Sequence, residues 1–102
     1  MSYSPTTSYV AECFWPDVRE DDLCQLDRRI EASVEAVAGG SDPVHYLGRL
    51  LVIDDEVVLV LFEGSIATVR RVAEQAEVPF GRLLHAAHVA SRRPHSPTEE
   101  LR

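Results

Sequence analysis

The chain contains no lysine and no asparagine, and all ten of its basic residues are arginine. The missing lysine excludes Schiff-base catalysis, a covalent anchor for pyridoxal phosphate and the lysine of a phosphate-binding loop. Cysteine is almost as scarce. Cys13 and Cys24 are too few and too far apart to make a metal-ligand motif by themselves, and both read as small buried hydrophobes. The Gly39-Gly40 pair lacks the rest of a glycine-rich phosphate loop. No G-x-S-x-G elbow, HExxH or CxxC unit occurs.

Long apolar runs are missing as well. The longest candidate, LGRLLVIDDEVVLVLF, is broken by Arg49 and three acids, which excludes a membrane span. The opening MSYSPTTS is polar and does not read as a secretory signal, so cytoplasmic residence with reduced thiols is expected. Positive charge is short too: 10 basic residues face 17 acidic ones, a net charge of −7. That field repels nucleic acid. The doublets Arg28-Arg29 and Arg70-Arg71 stand among acids, and Arg92-Arg93 falls in a polar tail, so no nucleic-acid partner is expected.

What is present is an alternation of periods over 102 residues, enough for one domain with a modest core. Residues 1–8 read as a flexible lead, 9–90 as the domain and 91–102 as a disordered tail. SYVAECFWP reads as a strand, with Tyr9, Ala11, Cys13 and Trp15 on one face and Val10, Glu12 and Phe14 on the other. REDDLCQLDRRIEASVEAVAGG reads as a helix, with Leu23, Leu26, Ile30, Val34 and Val37 at helical spacing and acids in its first turn. VHYLGRLLVI and VVLVLFE read as strands joined by a tight DDE turn. SIATVRRVAEQAE reads as a second helix capped by Ser65, with an apolar stripe of Ile66, Val69, Val72 or Ala73, and Ala76.

The last segment, RLLHAAHVA, decides the fold. Its leucines and alanines favour helix. Pro79 and Gly81 favour a fresh start, and a third helix would leave a sheet edge bare, so a strand is expected. The order is then βαββαβ: an α+β, ferredoxin-like antiparallel sheet with two helices on one face. The third strand is expected to run parallel to the first. As a strand, the segment sends His85 to one face and His88 to the other. Val57, Leu59 and Leu61 against Val58, Val60 and Phe62 make the middle strand apolar on both sides. Such a strand is covered twice, and a homodimer is the simplest second cover.

The same pattern resembles a family of small bacterial ferredoxin-like proteins, long described as a domain of unknown function, that includes an actinobacterial nickel-binding protein. The resemblance rests on YVAECFWPDVREDDL, with Glu12, Pro16, Asp21, Asp22 and Leu23; on Phe62-Glu63 closing a later strand; and on AEVPFGRLLHA. It covers roughly residues 9 to 89, and Cys13, Asp17 and Arg19 depart from the family pattern. The resemblance implies a dimeric α+β barrel built from two face-to-face sheets. It also implies a ligand or metal-ion role of nickel type.

Glu12 is the first candidate for chemistry. A carboxylate in a central strand is expected to be substantially buried, and such a group raises its pKa or finds a cation. It would then be a general acid or base, a metal ligand, or the partner of an arginine such as Arg49 or Arg82. His45, His85 and His88 join Glu12 as candidate ligands for a divalent transition metal, nickel or zinc. His95, in the tail, has no evident role. Trp15, Tyr46 and Phe62 are candidates to line a small-molecule cavity between sheet and helices, with Glu63 at its mouth. Core packing and solvation are the plainer accounts of these four. The functional expectation is a small-ligand or metal-ion binding protein. The alternative is a cofactor-free isomerase, cyclase or monooxygenase using Glu12 or His85, and an assembly module without a site is the third reading.

Overall fold

Four strands form one antiparallel sheet in the order β2-β3-β1-β4, with two helices between them in the chain. This is a computed structural model, and it describes residues 6–37, 40 and 42–88. The elements are β1 (Thr6–Phe14), α1 (Glu20–Ala36), β2 (His45–Val52), β3 (Val57–Glu63), α2 (Ile66–Gln75) and β4 (Arg82–His88), with one 3-10 turn at Ile53–Asp55. The α+β ferredoxin-like βαββαβ fold expected from the sequence is the fold observed. The expected lead is shorter, since β1 begins at Thr6, and the tail from residue 91 lies outside the described residues.

RLLHAAHVA is a strand because its neighbour holds it. β4 pairs with β1 from Arg82 opposite Glu12 to His88 opposite Thr6, and the Gly81 N–H donates to the Glu12 carbonyl oxygen at 2.9 Å. Seven residues of ladder outweigh the helical propensity of leucine and alanine, which is worth only tenths of a kcal/mol per residue. One expectation is corrected: β3 runs antiparallel, not parallel, to β1, with Ser8 opposite Glu63 and Phe14 opposite Val57. The α1 crossover makes β1 parallel to β2 and leaves β3 antiparallel between them.

The core lies between the helices and one face of the sheet. Ala11 and Cys13 of β1, Val58, Val60 and Phe62 of β3, Leu26 and Ile30 of α1, and Val69, Val72 and Ala73 of α2 are fully buried. Each large side chain among them contributes about 1.5–3 kcal/mol of transfer free energy. The stripe of α1 is as expected, although Val34 and Val37 are only partly buried. The stripe of α2 starts at Thr68, because Ile66 is 40% exposed.

The helix ends are closed by specific groups. Ser65 Oγ accepts the Thr68 N–H at 3.2 Å, as its position before the helix predicts. α2 has no base in its last turn, and Arg29 of α1 supplies one: its Nε donates to the Ala76 carbonyl oxygen at 2.8 Å. Gly64, between β3 and α2, has φ 150°, and a Cβ there would stand 2.9 Å from the Pro43 carbonyl oxygen.

Candidate functional site

Glu12 lies on the sheet face away from the helices, between Ala11 and Cys13, which both point into the core. It is not deeply buried: a third of its side chain is exposed. Of the two arginines expected as partners, Arg82 is the one it meets. Arg82 stands opposite Glu12 in the β1–β4 register, and its Nε donates to Glu12 Oε1 at 2.6 Å. Cys13 is buried as expected, and burial, with a smaller push from the Glu12 charge, raises its thiol pKa to about 11. Cys24 is only partly buried.

Among the candidate metal ligands, Glu12, His45 and His85, whose side chains are described, do not converge. β2 and β4 are opposite edges of the sheet, three strand spacings or about 14 Å apart, which separates His45 from His85. His85 pairs with Tyr9 on the helix-facing side and stacks on its ring, centroids 5.1 Å apart. Glu12 is on the other face. His88 ends β4, opposite Thr6, and its side chain lies outside the described residues. Among the described residues, no group of three or more His, Cys, Asp or Glu side chains is placed to hold a metal ion. Glu12 and His85, the candidate acid and base, likewise share no cavity, because they occupy opposite faces.

The aromatic candidates separate in the same way. Tyr46 and Phe62 are cross-strand neighbours with centroids 5.8 Å apart, but Phe62 is fully buried and lines no open space. Trp15 sits at the far end of the sheet, beside Val18, Leu51 and Ile53 at a groove of about 160 Å³. Glu63 is on the opposite face, in register with His45 and Ser8. The register explains both results. Tyr46, Phe62, Tyr9 and His85 form one row across all four strands, whereas Trp15 follows the other end of β1.

Tyr46 and His45 border a larger cleft, of a size that suits a small molecule. The cleft, about 650 Å³, opens between α1 and the start of β2 and is lined by Glu31, Val34 and Glu35 on the helix and by Val44, His45 and Tyr46 on the strand side. Tyr46, which lines it, belongs to a three-residue network with Asp27 and Arg49. Tyr46 donates its hydroxyl proton to Asp27 Oδ1 at 2.5 Å, and Arg49 Nε and Nη2 donate to Asp27 Oδ1 and Oδ2, each at 3.0 Å. Partial burial pushes Asp27 upward, but the hydrogen bonds from Arg49 and Tyr46 and the Arg49 charge outweigh it, and the carboxyl lies below its usual value. Burial, then the bond to Asp27, raises the Tyr46 phenol well above its usual value. Tyr46 is therefore a fixed neutral wall and not an acid at physiological pH.

Asp27, Glu31 and Glu35 were not among the sequence candidates, although they recur every four residues along α1, which is the spacing of one helix face. What identifies that face is its position against β2, which only the fold supplies. The lining side chains carry two carboxylates and no arginine. Comparison of the chain with protein-family models, with curated proteins and with solved structures finds no match.

Proposed function

We propose that this chain is a small-ligand binding protein that holds a small organic cation in the cleft between α1 and β2 and works as a homodimer. The cleft carries the reading. Its volume lies within the range of about 300–1,000 Å³ typical of small-molecule sites. Glu31 and Glu35 favour a positive ligand, and the face of Tyr46 offers a cation–π contact. Val34 and Val44 suit an apolar body. The net charge of −7 raises the local concentration of cations and speeds their encounter. The narrower reading, a nickel or zinc ion, would draw its ligands from more than one protomer, because Glu12, His45 and His85 of one protomer lie apart. Kinship with the ferredoxin-like family and residence in the cytoplasm belong to the same proposal. The topology supports the first. For the second, no helix among the described residues is long and apolar enough to cross a membrane.

Calorimetric titration tests the cleft. Benzylamine and tetramethylammonium are expected to release or absorb heat with saturation, benzoate is not, and the Glu31→Gln/Glu35→Gln protein loses the response by about tenfold or more in affinity. Nickel and zinc form a separate arm. Saturable metal binding without amine binding would replace the organic cation with the metal ion, and heat from neither would end both readings.

A further inference from the structure

At the end of the sheet away from His45, two loops meet and leave a groove between them. They are residues 15–19, which lead from β1 into α1, and residues 53–56, which join β2 to β3. The Trp15 N–H donates to the Glu56 carbonyl oxygen at 2.8 Å and ties one loop to the other. Asp17 at φ 62° and Glu56 at φ 55° hold left-handed backbone, which residues with side chains adopt rarely and keep where their surroundings fix it. The groove is therefore a set shape. Trp15, Val18, Leu51 and Ile53 give it an apolar lining, and Asp17 and Glu56 stand at it as acids. Leu51 is 40% and Ile53 75% exposed. Its volume, about 160 Å³, is below the roughly 300 Å³ at which small-molecule sites begin and has room for one large apolar side chain.

We propose that this groove docks a basic segment of another protein, with one apolar side chain seated between Trp15 and Ile53 and lysines or arginines on either side of it. Charge selects that occupant. Residues 15–22 carry four acids and residues 51–56 three, against the single base Arg19. Among the described residues Asp17, Asp54, Asp55 and Glu56 enter no side-chain hydrogen bond or ion pair. Arg49 and Arg82 are already held by Asp27 and Glu12. An apolar anchor inside a charged rim suits docking, because the anchor supplies affinity and the rim supplies partner choice and encounter rate. The chain's own basic doublet, Arg92-Arg93, does not reach. His88 stands opposite Thr6, about 26 Å of strand from Phe14, and the five residues from His88 to Arg93 span at most about 18 Å. That leaves a separate chain as the source of a basic cluster.

Trp15 is the chain's one tryptophan and reports on the groove directly. The probe is an acetylated, amidated peptide of one leucine with two lysines on each side. Its titration into the full chain is expected to shift Trp15 emission with saturation. Ile53→Ser, at a side chain that is 75% exposed, is expected to weaken binding about tenfold or more. The Asp54→Asn/Asp55→Asn protein is expected to weaken it about threefold or more, and added salt to weaken it in the same direction. No saturable shift, or an equal one from a peptide whose leucine is replaced by serine, would overturn the proposal, and so would an affinity that neither variant changes. The absence of lysine then locates the peptide. Carbodiimide joins its lysines to carboxylates in contact, and the chain adds no lysine of its own. Links are expected at Asp17, Asp54, Asp55 or Glu56. Links at Glu31 and Glu35 alone would assign the peptide to the cleft between α1 and β2 and overturn the groove. Light scattering without peptide tests the other occupant: self-association lost in the Ile53→Ser protein would put a second copy in the groove and overturn the proposal as well.

Discussion

The two faces of β3 differ little in composition and greatly in fate. Val58, Val60 and Phe62 are fully buried under the helices, while Val57, Leu59 and Leu61, one residue out of step, remain partly exposed. The same holds across the sheet: Ala11 and Cys13 are sealed, and Phe14 and Leu50 are open. The charges follow the same division. The Asp27–Arg49 pair ties α1 to β2 at the rim of the covered side, and the Glu12–Arg82 pair stands on the open side. Hydrophobic side chains therefore record that a surface is meant to be covered without recording by what. On one side the chain supplies the cover itself, and on the other the cover is the second protomer proposed above.

The contrast is broken most severely at Phe62. Its replacement by alanine removes a fully buried ring and is expected to cost about 3–5 kcal/mol, read as a lower denaturant midpoint. Leu59→Ala on the other face is expected to cost far less in dilute protein. Equal losses would mean that the open face is already covered in the single chain.

Asp27→Asn comes next. It leaves Tyr46 and Arg49 without their shared acceptor charge, for about 1–3 kcal/mol at neutral pH. The pH dependence has a definite sign. Asp27 titrates below its usual value in the folded protein, so its contribution is complete above the unfolded value near about 4 and is lost as pH falls through the lower folded value. The stability gap between wild type and Asp27→Asn should accordingly close on acidification. A gap that stays constant to low pH would show that the carboxylate charge is not what stabilises the network.

The smallest effect on the single chain is expected at Leu50. Leu50→Ser changes a side chain that is 57% exposed and should shift unfolding by less than about 0.5 kcal/mol. Its consequence lies in association, measured by light scattering over a dilution series. A large loss of stability in dilute solution would contradict the open face.

Much of the fold was legible along the chain. The limits of β3 and the cap at Ser65 follow from local period and local hydrogen bonding and are found as read, and the core stripe of α1 is found as read from Leu23 to Ile30, after which Ser33 is buried and Val34 and Val37 are only partly so. The site was less legible. Glu12 was expected to be substantially buried, yet a third of its side chain is exposed, and of its two expected arginine partners Arg82 meets it while Arg49 pairs with Asp27. Trp15 and Phe62 were grouped as one lining although the register sets them at different ends and depths. The cleft escaped notice because half of it is α1, whose acids at every fourth residue look like an ordinary solvated face until β2 lies beside them.

The sequence by itself determined the element types from β1 to α2, because helix and strand periods are properties of neighbouring residues, whereas the type of β4 was decided by its pairing with β1. It also determined that both faces of the central strands would seek apolar company. Only the tertiary structure decided the antiparallel placement of β3, the pairing of Glu12 with Arg82, and which of two similar faces lies under the helices. The physical reason is that a period of two assigns residues to alternate faces but does not label them. When both faces are apolar, the choice belongs to the crossover geometry of α1 and α2 and to the β1–β4 register, and these are contacts between residues far apart in the chain.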